Sequence, residues 1–196
     1  MRKFLVLGLL VLPLMVAGCS KAPAEAALKA ADEAIAKIQP EAEKFVPEQF
    51  KALADTAAAA KANFDKGDYA AVIAAAKDLP AKATEVMAAA TAKKQELTAG
   101  WTSLQGSLPA VVQGLTEKVG ALEAMKKLPK GIDSTQLAAA KTQLGDITSL
   151  WTKATEAFGA GDITAALAAG GDVKVKADEL TKVLDTVQMP MVVTKK

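Results

Sequence analysis

The sequence predicts an all-α protein: an antiparallel helical bundle of two duplicated hairpins with a helix between them. Three observations carry that prediction. Hydrophobic residues make up 51% of the chain and aromatics only 4%, and alanine is the commonest of the apolar residues. Alanine has the best helix propensity and lets helices approach closely. Apolar residues recur at spacings of three and four through most of the chain, the period of one helical face. Short Gly-, Pro- and Asp-containing clusters interrupt that period, and one of them returns 94 residues later.

The first residues read differently from the rest. Arg2 and Lys3 precede an apolar run from Phe4 to Val16 that holds Pro13 and ends in small residues, the three-part layout of a secretory signal. The run is about 13 residues, short of the ~20 that a bilayer-spanning helix needs. Val16-Ala17-Gly18-Cys19 resembles the lipobox of bacterial lipoproteins, in which a peptidase cuts before the cysteine once its thiol carries a diacylglycerol. The resemblance implies that 1–18 is a lipoprotein signal peptide and that Cys19 is the lipidation site. It further implies acyl chains of the palmitate type on that residue. Each buried methylene adds roughly 0.8 kcal/mol, so one chain holds marginally and two or more hold stably. Ser20 follows Cys19, and by the same resemblance it points to the periplasmic face of the outer membrane. Membrane attachment through lipid on Cys19 is therefore expected, with residues 19–24 as a lipidated tether.

Removing 1–18 leaves enough chain for one domain with a real core. The formal charge of +2 belongs to Arg2 and Lys3, and the remaining basic and acidic residues balance. A neutral chain gives no electrostatic case for nucleic acid. Cys19 is the only cysteine and histidine is absent. With Cys19 lipidated, neither a thiol nucleophile nor a histidine base or ligand remains. No cofactor or metal is expected, and no catalytic residue.

From 25 to 190 the chain reads as a single helical domain, followed by a tail at 191–196. A first helix from about Pro23 to Ile38 carries Leu28, Ile35 and Ile38 among alanines and ends at Pro40. Pro47 opens the next, whose face holds Phe50, Leu53, Ala57, Ala60 and Phe64. Lys66-Gly67-Asp68 breaks it, with Gly67 suited to a left-handed position and Asp68 to a cap. A long register follows from Tyr69 through Leu79, Trp101 and Leu104, in which Pro80 is expected to kink the helix without ending it. Gly106-Ser107 is the next expected break, Ser107 capping a linking helix over about 107–128 that carries Leu108, Leu115, Val119 and Leu122. The following helix starts near Asp133 or Ser134 and carries Leu137, Ala140, Leu144, Ile147, Trp151, Ala154 and Phe158. After Gly159-Ala160-Gly161-Asp162 a last helix runs from Ile163 to about Val187.

The two hairpins, about 48–105 and 134–188, align at an offset of 94 without a gap. Phe64, Gly67 and Asp68 fall on Phe158, Gly161 and Asp162, and Asp78, Lys82, Ala83 and Glu85 on Asp172, Lys176, Ala177 and Glu179. Hairpins with tight turns pack antiparallel, which favours a bundle. Gly67-Asp68-Tyr69 also resembles the inter-helix turn of a tetratricopeptide repeat. Val72 stands where that repeat has alanine, and its period is 34 residues, so the likeness stops at the hairpin.

Few residues offer chemistry. Asp65 and Asp68 lack the ligand series of a calcium loop and read as turn and cap residues. Met189-Pro190-Met191 offers two thioethers for Cu(I) but no supporting ligand, and chain-end packing explains it better. Trp101 and Trp151 lie on apolar stripes, so the core is their default place. They are also the candidate partner or ligand contacts, should one of them line a groove. Glu85 and Glu179 sit one turn from lysines, as in helix-surface pairing. The expected function is a non-enzymatic cell-envelope lipoprotein acting as a helical interaction or scaffold module, with another envelope protein as partner. The alternative is a carrier that binds a lipid or other apolar ligand between the hairpins.

Overall fold

The computed structural model describes the backbone of residues 17–187 and the side chains from Ser20 onward. The described residues contain no strand and form six helices joined by short turns and one longer loop: α1 (Ala17–Phe45), α2 (Pro47–Asp65), α3 (Tyr69–Lys77), α4 (Leu79–Glu123), α5 (Ser134–Gly159) and α6 (Ile163–Asp185). The chain divides into two compact units, one ending at Lys93 and the other beginning at Lys94, both drawing on α4. Each unit has its own core.

In the first unit α1, α2, α3 and the start of α4 enclose Ala31, Ile38, Ala42, Phe50, Leu53, Ala57, Ala76, Leu79 and Ala83. Most of these are alanines, so close backbone approach does the packing that large side chains do elsewhere. α1 does not end at Pro40. Its buried face runs Ala24, Ala31, Ile38, Ala42, Phe45, in one register through the proline. Pro40 is exposed, so the carbonyl that loses its helical donor has water to turn to. A single non-helical residue, Val46, separates α1 from α2, and Pro47 takes the first-turn position where its missing N–H costs nothing.

Two further expectations about prolines and caps are corrected. The helix does not run through Pro80. It stops at Lys77, Asp78 intervenes, and its carbonyl accepts from Lys82 N–H as α4 begins, leaving Pro80 in the first turn. Nor is there a break at Gly106-Ser107. α4 continues through both and through Pro109 to Glu123, because Trp101, Leu108, Leu115, Val119 and Leu122 form one uninterrupted buried face. The Ser107 hydroxyl donates back to the Ser103 carbonyl, mid-helix behaviour in place of a cap.

The second unit packs the remainder of α4 with α5 and α6 around larger aliphatics, among them Leu108, Leu115, Leu122, Ile147, Val173, Leu180 and Leu184. The start of α5 is where the sequence places it. The Asp133 carboxylate accepts from Gln136 N–H at 2.8 Å and the Gln136 side chain accepts from Asp133 N–H at 2.9 Å, a complete capping box. Ion pairs Lys118–Asp185 at 2.7 Å and Lys141–Glu123 tie α4 to α6 and α5, and Lys61–Asp32 at 2.9 Å ties α2 to α1. All are exposed, so each contributes no more than about 1 kcal/mol.

The turns after α2 and α5 share one geometry. Gly67 and Gly161 have φ of 78° and 80°, in the left-handed region. Asp68 and Asp162 N–H reach back to the Asn63 and Ala157 carbonyls, at 3.0 and 2.8 Å. Their carboxylates accept from Ala71 N–H at 3.1 Å and Ala165 N–H at 3.0 Å. One residue thus closes the helix before it and caps the helix after it.

Candidate functional site

Trp101 lies on the buried face of α4, 1% exposed, with Ala154 and Ala166 beside it. α5 brings two rings to it seven residues apart. Trp151 stacks on the indole at 5.5 Å between centroids and 19° between planes, and Phe158 does so at 5.1 Å and 20°. Seven residues are two helical turns, ~10.5 Å along the axis, so the indole slots between the two rings. From α6, Gly170 gives the room: a Cβ there would lie 2.9 Å from Leu104 Cδ1 and 3.4 Å from Trp101 Cζ3. The indole N–H is buried and finds no acceptor, which costs about 1–3 kcal/mol. Of the two tryptophans marked as contacts, Trp101 is therefore enclosed by protein. Trp151 remains half-buried and reaches both the aromatic stack and the aliphatic core.

A separate open groove of about 730 Å³ runs between α4 and α5 within the second unit. Val119 and Leu144 form its apolar floor, Gly120 and Gly145 face open space, and the Glu123–Lys141 pair closes one end. Its rim carries hydroxyls, but Thr116, Thr148 and Thr152 each donate to the carbonyl one turn back. What they offer outward is methyl groups and oxygen lone pairs. The groove therefore offers apolar contact and acceptors from these threonines, with the Ser149 hydroxyl beside them as a further polar group. Gly120 on its own would only weaken a helix. Its role becomes visible when Gly145 stands opposite, a juxtaposition that no local pattern signals.

In the first unit a smaller depression of about 360 Å³ lies between α2 and the start of α4, with Leu53 and Val86 below and Gln49, Thr56, Lys82 and Glu85 around it. Nearby on α2, Asp55 accepts from Lys51 at 2.7 Å and raises the lysine above its ordinary 10.5, a surface helix pair.

The remaining marked residues divide. Asp68 is an N-cap, which explains it without a metal. The side chain of Cys19 lies outside the described residues, as do Met189, Pro190 and Met191 and the segment 1–16. Among the described residues no three metal-ligating side chains are grouped, no charged side chain is buried, and no helix is long and apolar enough to cross a membrane. Compared with protein-family models, curated proteins and solved structures, the chain finds no match.

Proposed function

We propose that this chain is a lipid-anchored cell-envelope protein that acts without catalysis, as a scaffold or interaction module holding another envelope protein. Diacylglycerol on Cys19 attaches it to the membrane, on the periplasmic face of the outer membrane in the reading drawn from Ser20. The working part is a pair of duplicated hairpins, α2 with α3 and the start of α4, and α5 with α6. The observation that carries the reading is the equivalence of the two hairpins at an offset of 94. It is supported by the matched Gly-Asp turns and by shared burial: Leu53 and Ile147, Ala60 and Ala154, Leu79 and Val173, and Ala83 and Ala177 are all buried pairs. A repeated helical unit multiplies one interaction surface without requiring any reactive group.

Fractionation of cells carrying Cys19→Ser tests the anchor. The wild-type chain is expected with membranes and the variant outside them, uncut before residue 19. Equal membrane retention of both would overturn the lipid attachment. For the scaffold, deletion is expected to change the composition of an envelope complex, and an unchanged set of complexes together with no crosslinked protein would remove the reading.

A carrier is the second reading, supported by the groove over Val119 and Leu144, whose outward methyls and acceptors suit an apolar chain. A small molecule retained by a variant lacking the Cys19 lipid would favour it over the scaffold.

A further inference from the structure

The duplicated hairpins give a comparison internal to the chain. Buried positions that stay alike between copies are explained by packing, and turn residues by backbone geometry. Exposed positions have no such constraint and most have diverged: Lys51 aligns with Gly145, Asp55 with Ser149, Lys61 with Thr155 and Thr84 with Asp178. Outside the turns four exposed polar positions have not, Asp78 with Asp172 being one of them. Gln49 matches Gln143, Lys82 matches Lys176, and Glu85 matches Glu179.

These six side chains lie on exposed helix faces. Among the described residues none of them makes an ion pair or a side-chain hydrogen bond, whereas neighbours on the same helices pair readily, as Lys51 does with Asp55 and Lys174 with Asp178. In the first hairpin the three rim one depression. Its floor includes Leu53 and Val86, whereas the matching Ile147 and Leu180 of the second hairpin are fully buried. The floor positions are more deeply buried in the second copy, while the residue types that rim the first depression are kept in sequence. What both copies share is thus charge and hydrogen-bonding capacity. Asp78 and Asp172, also exposed and matched, give each copy an acidic, basic, acidic order at i, i+4 and i+7, a spacing that follows one helical face.

We propose that the two stripes are matched docking faces, each taking a helical protein segment that presents basic, acidic and basic side chains at the complementary spacing. The inference rests on the duplicated-hairpin scaffold reading and names the partner's chemistry. Charge complementarity selects this occupant. The net negative stripe repels a purely acidic segment, and its central lysine disfavours a purely basic one.

The test uses the full chain in its own cells, with a photo-crosslinking residue at Gln49 or Gln143 and, as controls, at the exposed and diverged positions Ala59 or Lys153. Crosslinks from Gln49 and Gln143 are expected to reach the same segment type, and its sequence should read basic, acidic, basic at i, i+4 and i+7. Swapping the charges with Lys82→Glu and Glu85→Lys should lower the Gln49 yield about tenfold, with helical content unchanged. Different proteins at the two sites, a segment without that order, or yields no higher than at the controls would overturn the docking faces. Capture at the controls alone would sink the stripes and spare the scaffold. No capture at any position would sink both.

Discussion

Gly131 and Gly145 are the same residue type held under opposite constraints. Gly131 has φ of 99°, and a Cβ there would lie 2.7 Å from the Thr186 carbonyl oxygen, a backbone atom with nowhere to go. Gly145 is in the interior of α5 with open space around it. Gly131→Ala is therefore expected to destabilise by about 1–3 kcal/mol, and Gly145→Ala to stabilise by up to ~1 kcal/mol through helix propensity. Denaturant unfolding of the two variants checks both signs. Trp101 poses a different balance, between ring volume and an unpaired N–H. Trp101→Ala should cost about 3–5 kcal/mol. Trp101→Phe should cost well under half of that, because it keeps a ring between Trp151 and Phe158 and removes the orphan donor, itself a penalty of about 1–3 kcal/mol. A phenylalanine variant as unstable as the alanine one would show that the indole edge carries the packing.

At the scale of elements, the paired turns make the sharpest prediction. Asp68→Ala and Asp162→Ala each remove a carboxylate that accepts one backbone N–H at similar length, so each should lose about 1 kcal/mol. Unfolding monitored separately in each half of the chain checks this, and costs differing by more than twofold would argue against equivalent turns. These turns were legible from Gly-Asp alone, as was the start of α5 from Asp133. The boundaries misread lie near prolines. The breaking tendencies of Pro40 and of Gly106-Ser107 are outweighed by apolar faces that continue past them, and exposed Pro40 leaves its freed carbonyl to solvent. The break at Asp78 was hidden for the opposite reason. Ala76, Leu79 and Ala83 keep helical spacing across it, so the backbone stops without any change in the buried register. The aromatic stack was half legible. The stripe placed both tryptophans on buried faces, but only the packed helices show that Trp101 is enclosed while Trp151 keeps an outward side.

At the scale of the whole molecule, alanine explains both the ease of the fold prediction and the limit of the domain prediction. An alanine-rich helical chain announces its class at every position, yet alanine faces are nearly interchangeable, so the pattern does not say which helices share a core. The division into two units comes from long-range packing: an alanine-based core up to Lys93 and an aliphatic one after it. Function divides the same way. The proposed address rests on four consecutive residues ending at Cys19, and the proposed partner contact on exposed side chains that only the 94-residue offset singles out.

Native mass spectrometry of the protein released gently from its own membranes tests the central claim most directly, since it weighs anchor and partner together. The account predicts a chain that starts at Cys19, carries acyl mass on that residue and holds a second protein. A chain still bearing residues 1–18, with no lipid and no bound protein, would contradict it.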